Sequence, residues 1–257
     1  MRQAVYQYLY NYEPFVLFGP AHIWGLIISL ALAIGLPIYA KKKLNGRQQQ
    51  LVGTVLGFLV MANYLAWVVL ELIAGTFDIT KHLPFHLCRF ANLITPLVLW
   101  KRSYRVFEIL YFWGLSGVLQ SAFTPDIVQG FPHFHFFRFF IGHNGLVIAI
   151  VYAAVVYNMH PTIKSLWRAF AALNMFLVVA LVVNLILGTN YFWILGKPPV
   201  PSLLDYMGPW PWYILVAELV ALVHFALAYL PIAIIRKRRL NREIAETDVL
   251  LPETDSV

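Results

Sequence analysis

Residues 21–43 read AHIWGLIISLALAIGLPIYAKKK, and this stretch decides the class of the fold. Its first part, residues 21–40, has no Asp, Glu, Lys or Arg and is long enough for one helix to cross the ~30 Å hydrocarbon layer of a bilayer. Lys41, Lys42 and Lys43 follow directly, and basic clusters of this kind collect on the cytoplasmic side of a membrane span. The stretch therefore predicts a transmembrane helix whose C-terminal end faces the cytoplasm.

The composition of the whole chain agrees with a membrane protein. Of its 257 residues, 60% are hydrophobic and only 12% are charged, whereas soluble domains average about 25% charged residues. The net charge of +7 does not indicate nucleic-acid binding, because the basic residues lie at the ends of hydrophobic runs, where they act as topology signals. We expect a multi-pass protein of the cytoplasmic membrane that is surrounded by lipid bilayer and has no nucleic-acid partner.

Seven hydrophobic segments are predicted to span the membrane as helices. They cover residues 21–40, 51–73, 84–100, 106–121, 136–157, 166–187 and 210–235. If the N-terminus lies outside, the cytoplasmic segments hold most of the lysines and arginines, so an all-α bundle of seven transmembrane helices with a cytoplasmic C-terminus is predicted. Residues 1–240 are expected to form one domain that begins with a short tyrosine-rich interfacial segment. Residues 241–257 are expected to be a disordered acidic cytoplasmic tail.

Polar side chains are concentrated on the predicted outer side of this bundle. Asn63, Trp67 and Glu71 in the second span are spaced to share one helix face, which should point into the bundle. The outer loops and the outer turns of the helices contain His82, His86, Cys88, Gln120, Asp126, His133, His135, Arg138, His143, Asn190, Lys197 and Asp205. Because unpaired polar groups are unfavourable in a membrane, any chemistry is expected in this outer half.

Cys88 is the only cysteine and lies in the polar stretch HLPFHLCRFAN, residues 82–92. If Pro84 opens the third span, Cys88 lies about one turn into the helix, where the amide groups of the helix start and Arg89 favour the thiolate. Asn92 follows at i+4 and is a candidate donor to an oxyanion. Cys88 is therefore a candidate nucleophile, and an inert buried thiol is the alternative interpretation.

A nucleophilic cysteine needs a histidine base within hydrogen-bond reach. His86 would lie about 160° around the same helix from Cys88. His143, at a comparable depth in the fifth span, is the predicted base, although a histidine there could instead be a buried structural residue. A metal site built from His82, His86, Asp126, His133, His135 or His143 is a further interpretation. No metal-binding spacing supports it, so neither a metal nor another cofactor is expected.

Several motifs together resemble a known family. They are LPFHLC at residues 83–88, Gln120 with Thr124-Pro125-Asp126, RFFIGH at residues 138–143, and the last outer loop from Asn190 through Lys197 and Asp205 to Trp212. In this combination the chain resembles the bacterial YwaF-type membrane proteins, which are similar to the animal transmembrane protein 164 family. The resemblance extends from the first span to the seventh. It implies an acyltransferase that moves a fatty acyl chain onto a lysophospholipid, with Cys88 as nucleophile and His143 as base.

The resulting prediction is a thiol-dependent lipid acyltransferase that acts on membrane phospholipids, with Cys88 and His143 as its catalytic residues. Residues expected to support the site or bind substrate are His86, Arg89, Asn92, Gln120, Asp126, Asn190, Lys197 and Asp205. The alternatives are a small-molecule transporter or receptor, a metal-dependent lipid hydrolase and a non-catalytic partner subunit.

Overall fold

The computed structural model describes residues 2–198 and 202–250, and within them the chain forms helices and no β-strand. The helices are α1 (Arg2–Tyr10), α2 (Pro20–Lys43), α3 (Gly46–Ala74), α4 (Leu87–Leu99), α5 (Tyr104–Trp113), α6 (Leu119–Phe123), α7 (Phe134–Val156), α8 (Ile163–Leu187) and α9 (Trp212–Leu250). A π-helical turn, Gly114–Val118, joins α5 to α6, so Tyr104–Phe123 is one continuous helical rod. Two short 3-10 turns, Tyr191–Trp193 and Leu203–Met207, lie between α8 and α9.

Six of these helical rods are long and apolar enough to cross a membrane. They are α2, α3, the Tyr104–Phe123 rod, α7, α8 and the Trp212–Arg238 part of α9. The remaining predicted span, residues 84–100, corresponds to the shorter apolar helix α4. The all-α, multi-pass character of the protein is thus confirmed, whereas the seventh span and the orientation of the termini stay predictions.

The helix that carries Cys88 starts later than predicted. Pro84 was expected to open the helix, but α4 begins at Leu87, and His86 is an extended N-cap residue with φ −90° and ψ 139°. Cys88 therefore lies in the first turn of the helix rather than one turn inside it. The predicted angular separation of His86 from Cys88 does not apply, because His86 is outside the helix.

The two ends of the chain are more helical than predicted. Residues 2–10 form α1, in which Arg2 Nε donates to the carbonyl of Ala74 at 3.1 Å, at the end of α3. Helix α9 continues through part of the expected disordered tail as far as Leu250, because residues 236–250 contain no glycine or proline that would stop a helix. The rest of that tail, residues 251–257, lies outside the described residues.

Local capping explains where the long helices begin and end. Asn45 with Gln48 and Thr162 with Ser165 form capping boxes that start α3 and α8. Both helices end at a glycine in the left-handed region, Gly75 with φ 74° and Gly188 with φ 64°, a conformation that favours glycine. The segments that follow these two glycines lie around the candidate site.

The loops of the bundle separate into two ends. At one end, Lys41 Nζ lies 2.7 Å from Asn158 Oδ1, Gln50 Nε2 donates to the carbonyl of Leu99 at 2.9 Å, and Tyr104 donates to the carbonyl of His160 at 3.0 Å. The predicted cytoplasmic basic residues of α2, α3, α5 and α8 cluster here. At the opposite end, the segments that follow α3 and α6 contact α1, and the segment that follows α8 contacts the one that follows α3.

Helix α7 forms the centre of the bundle, with most of its residues buried. Helices α2, α3 and α4 pack against it. Gly145 of α7 lies so close to α3 that a Cβ there would meet Val60 Cγ2 at 3.0 Å. The packing brings α4, which carries Cys88, against α7, which carries His143.

Candidate active site

A cavity of about 610 Å³ lies at the end of the bundle opposite the basic loops. Its wall is built from α3, α4, α7 and the segments that follow α3, α6 and α8. The predicted site residues that line it are His86, Cys88, Arg89, Asn92, Asp126, His143 and Asn190. Residues that are distant in sequence thus meet in one polar cavity.

The other predicted site residues lie elsewhere. Gln120 lines a neighbouring, mostly apolar cavity of about 290 Å³, together with Trp113, Ser116 and Leu173. Lys197 points along its own loop, with Nζ 3.4 Å from the carbonyl of Asp205. None of Gln120, Lys197 and Asp205 belongs to the lining of the Cys88 cavity as the structure describes it.

Cys88 on α4 and His143 on α7 line the same cavity. Both side chains are partly buried. His143 Nδ1 lies 3.0 Å from the carbonyl oxygen of Phe139, and a carbonyl only accepts, so Nδ1 carries the proton. In the neutral ring, Nε2 then holds the lone pair that a general base needs. The ring is also stacked on Phe139, with 4.2 Å between centroids.

His86 packs among aromatic rings at the start of α4. Its ring centroid lies 5.5 Å from that of Tyr191 and 5.4 Å from that of Trp193. Burial, reinforced by the positive charge of Arg89, lowers the pKa of His86 to about 3. The imidazole of His86 is therefore neutral at pH 7.

Asn92 joins the two helices that carry the thiol and the imidazole. In the amide orientation that gives each atom a suitable partner, its nitrogen donates to the carbonyl of Gly142 at 2.9 Å and to that of Cys88 at 3.2 Å. An asparagine amide has two N–H donors, and these bonds use both. Asn92 thus fixes α4 against α7, and its donors are not available to an oxyanion.

Asp126 and Asn190 form the outer part of the cavity wall. Asp126 is exposed. Asn190 shapes its own loop, because Nδ2 donates to the carbonyl of Gly196 at 2.8 Å and Oδ1 accepts from the amide of Leu195 at 2.9 Å. Both ends of the Asn190 amide are therefore used to hold this loop in shape beside the cavity.

Two further residues of the cavity, Trp67 and Arg138, were not assigned to the site from the sequence. The guanidinium carbon of Arg138 lies 4.1 Å from the centroid of the Trp67 ring, and that of Arg89 lies 4.6 Å from it. The spacing of Asn63, Trp67 and Glu71 correctly predicted that this face of α3 points inward. That Arg89 and Arg138 meet at Trp67 depends on how three separate helices pack, and no local pattern signals it.

A buried carboxylate holds Trp67 in place. Glu71 Oε1 accepts from the indole N–H of Trp67 at 2.9 Å, and Oε2 accepts from the hydroxyl of Thr76 at 2.6 Å. His82 lies beside this group, with Nε2 3.9 Å from Glu71 Oε1. Burial lowers the pKa of His82 despite the opposing influence of Glu71. The network orients the indole ring beneath the two guanidinium groups.

The histidines do not gather into a metal site. Within the described part of the chain, no three His, Cys, Asp or Glu side chains are arranged to hold a metal ion. His133 instead packs against α1, with Nε2 2.7 Å from the carbonyl of Tyr8, and its Nδ1 accepts from the amide of His135 at 3.1 Å. The arrangement gives no support to a metal-dependent lipid hydrolase.

The model of the TMEM164 family matches residues 17–229, which include α2 to α8, most of the apolar part of α9 and the whole cavity lining. The chain matches no curated protein and no solved structure.

Proposed function

The protein belongs to the TMEM164 family, and we propose that it is a membrane acyltransferase in which Cys88 accepts an acyl group and His143 moves the proton. One observation carries this proposal. The only thiol of the chain shares a cavity with an imidazole whose Nδ1 is bonded to a carbonyl, which leaves Nε2 available as a base in that cavity. A nucleophile beside an oriented base is the arrangement that covalent acyl transfer requires.

The first half-reaction forms a thioester. His143 Nε2 takes the thiol proton as Cys88 Sγ attacks the ester carbonyl carbon of a phospholipid. The tetrahedral intermediate collapses with cleavage of the ester C–O bond, and His143 returns the proton to the departing alkoxide oxygen. The products are a lysophospholipid and an acyl-Cys88 thioester.

The second half-reaction runs in the opposite sense. The hydroxyl of an acceptor lysophospholipid gives its proton to His143 and attacks the thioester carbonyl. The C–S bond breaks, the sulfur regains the proton from His143, and the acyl chain leaves on the acceptor. Water in place of the acceptor would give a free fatty acid, so exclusion of water from the cavity determines the balance between transfer and hydrolysis.

Backbone amides at the start of α4 are the best candidates to stabilise the oxyanion. The first N–H groups of a helix have no acceptor within that helix, and they carry a partial positive charge. Cys88 lies in this first turn, and the N-cap residue His86 makes no side-chain capping bond. The sequence left Asn92, Gln120 and backbone N–H groups as alternative donors, and we favour the backbone amides because the Asn92 amide is bonded elsewhere and Gln120 lines the neighbouring cavity.

We further propose seven spans, with α4 as the third, and an N-terminus outside the cytoplasmic membrane. The gathering of the basic loops at one end of the bundle supports this orientation. A helix of 13 residues rises about 20 Å, less than the ~30 Å of the hydrocarbon layer. The N-terminal turn of α4, with Cys88, would then be recessed below the outer surface, at the depth of the cavity.

Acyl transfer between defined lipids tests this proposal. The purified protein in mixed micelles is given phosphatidylcholine with a deuterated acyl chain and an unlabelled lysophospholipid acceptor, and products are followed by mass spectrometry. Deuterated acyl chains should appear on the acceptor with the native protein and not with Cys88→Ala, and the rate with His143→Gln should fall at least about 100-fold. Equal transfer by all three proteins would rule out this mechanism.

A further inference from the structure

Two cations of the cavity lie over one aromatic ring. Arg89 from α4 and Arg138 from α7 both approach Trp67 from α3, at 4.6 and 4.1 Å from the ring centroid. Attraction between a cation and the face of an indole is strongest where water is excluded. The ring thus holds two guanidinium groups in fixed positions in the same cavity as Cys88.

In the part of the chain that the structure describes, no carboxylate pairs directly with either of these arginines. Among the described residues, no Asp or Glu oxygen lies within 4.0 Å of either guanidinium group. Lys81, a third cation of the cavity, is paired with Asp78 at 3.4 Å. Asp126 is the acidic residue of the lining, and Glu71 is bonded to the indole of Trp67, so neither carboxylate contacts a guanidinium group directly. Like charges held close together are unfavourable unless an anion joins them.

The hydrogen bonds of the two arginines orient them and leave donors for a ligand. Arg138 donates from Nε to His135 Nδ1 at 3.1 Å. Arg89 donates from Nη1 to the carbonyls of Lys81 and Leu83. A guanidinium group has five N–H donors, and each of these arginines uses a single nitrogen in the bonds described.

We propose that Arg89 and Arg138, held over Trp67, bind the phosphate of the lipid whose ester reacts at Cys88. This inference rests on the proposed acyl transfer and adds to it a headgroup site. The planar fork of a guanidinium group matches two phosphate oxygens, and two such groups offset the charge of a phosphodiester. In a glycerophospholipid the phosphate and the ester carbonyl are a few bonds apart, so fixing the phosphate positions the carbonyl near Sγ.

The inference is tested by measuring lipid binding to a variant that cannot form the thioester. Full-length protein with Cys88→Ala, in detergent, is titrated with lysophosphatidylcholine and with a monoacylglycerol of the same chain length, and bound lipid is counted by native mass spectrometry. Adding Arg138→Gln should weaken lysophosphatidylcholine binding about 10- to 100-fold, the range for a hydrogen bond to a charged group. Binding of the monoacylglycerol, which has no phosphate, should change less than about twofold.

Two further variants separate charge from structure. Arg138→Lys keeps the charge but not the fork, so it should retain more lysophosphatidylcholine binding than Arg138→Gln. Arg102→Gln is the matched control, because Arg102 also lies over an aromatic ring, 4.4 Å from the centroid of Tyr157, but at the other end of the bundle. It should leave the binding of both lipids unchanged.

The outcomes distinguish the headgroup site from the enzymatic mechanism. If Arg138→Gln weakens the binding of both lipids equally, or of neither, the proposed phosphate site is wrong whatever the acyl-transfer assay gives. If the native protein transfers no acyl chain while the binding difference persists, the mechanism fails and the phosphate site stands. Glycerophosphocholine has the phosphodiester but no acyl chain, so it shows whether the bound phosphate belongs to a lipid or to a soluble compound. Competition by glycerophosphocholine at millimolar concentration indicates a soluble phosphate ligand. No competition indicates a lipid.

Discussion

The side-chain amide of Asn92 donates to the backbone carbonyl of Gly142 at 2.9 Å, one residue before His143. The same amide nitrogen bonds the carbonyl of Cys88 at 3.2 Å. A Cβ at position 142 would meet the Asn92 amide at 2.9 Å, so the glycine is what permits this close approach. One asparagine therefore fixes the helix of the thiol against the helix of the imidazole.

Replacing Asn92 should disturb the proposed chemistry more than the stability. Asn92→Ala removes the link between α4 and α7, which is worth about 1 kcal/mol of stability. A misplacement of about 1 Å between reacting groups can lower a rate 100-fold, so we expect acyl transfer to fall at least about tenfold. The initial rate of transfer and the thermal unfolding midpoint measure the two effects.

Asn174→Ala is the matched control for this variant. Asn174 also bonds the carbonyl four residues earlier, that of Phe170 at 3.1 Å, and a neighbouring helix, through Glu218 at 2.9 Å. It should lower stability by a similar amount and leave the transfer rate within about twofold. Equal loss of rate in the two variants would mean that Asn92 acts only through general stability.

The reactivity of Cys88 should depend on His143. Because the chain has one cysteine, alkylation by iodoacetamide reports on Cys88 alone. His143→Gln removes the base, so alkylation at pH 7.5 should slow about tenfold or more. Intact-mass spectrometry over time gives the rate.

His224→Gln provides the comparison, because His224 bonds the carbonyl of Val220 at 2.8 Å through Nδ1, just as His143 bonds that of Phe139 at 3.0 Å. His224 is not in the Cys88 cavity, and its replacement should leave the alkylation rate unchanged. A thiol that reacts equally fast in all three proteins would be the inert cysteine considered from the sequence.

His86 should make the fold sensitive to acid. The unfolded chain binds a proton at His86 near pH 6.5, whereas the folded protein does so only near its pKa of about 3. The unfolded state therefore binds more protons between these values, so this contribution to stability is complete above about pH 6.5 and is lost as the pH falls. The loss is at most about 1.4 kcal/mol per pH unit.

His86→Asn removes this titration. The unfolding midpoint should drop less between pH 7 and pH 5 in the variant than in the native protein, as measured by tryptophan fluorescence. His160→Asn is the control, because its position is in the loop at the opposite end of the bundle, and the native pH dependence should persist. If His86→Asn also leaves the dependence unchanged, the buried neutral imidazole is not the cause.

Much of the fold could be predicted from the sequence, because long apolar runs and basic loops are local signals. The same holds for the inward face of α3, where Trp67 and Glu71 are buried. The start of α4 was misjudged, because proline suits the first turn of a helix and Pro84 was taken to occupy it. The chain remains extended through His86, whose ring packs against Tyr191 and Trp193 from a distant loop.

The candidate site was predictable only in part. Cys88 and His143 stand out as an isolated thiol and a histidine within a membrane span. Gln120 was predicted at the same membrane depth as Cys88 and His143, but it lines the neighbouring cavity. The depth of a residue along a helix does not specify which side of the helix it occupies. The meeting of Arg89 and Arg138 at Trp67 arises from the packing of three helices, which sequence spacing does not encode.

The most direct test of the central proposal is to look for the acyl-enzyme itself. The native protein is incubated with phosphatidylcholine carrying a single defined acyl chain, quenched in acid and measured as intact mass before and after hydroxylamine. We predict a mass increase of one acyl group that hydroxylamine removes, present in the native protein, absent in Cys88→Ala and at least about tenfold slower to form in His143→Gln. An acyl group that still forms in Cys88→Ala, or none in the native protein while acyl transfer proceeds, would contradict a thioester at Cys88.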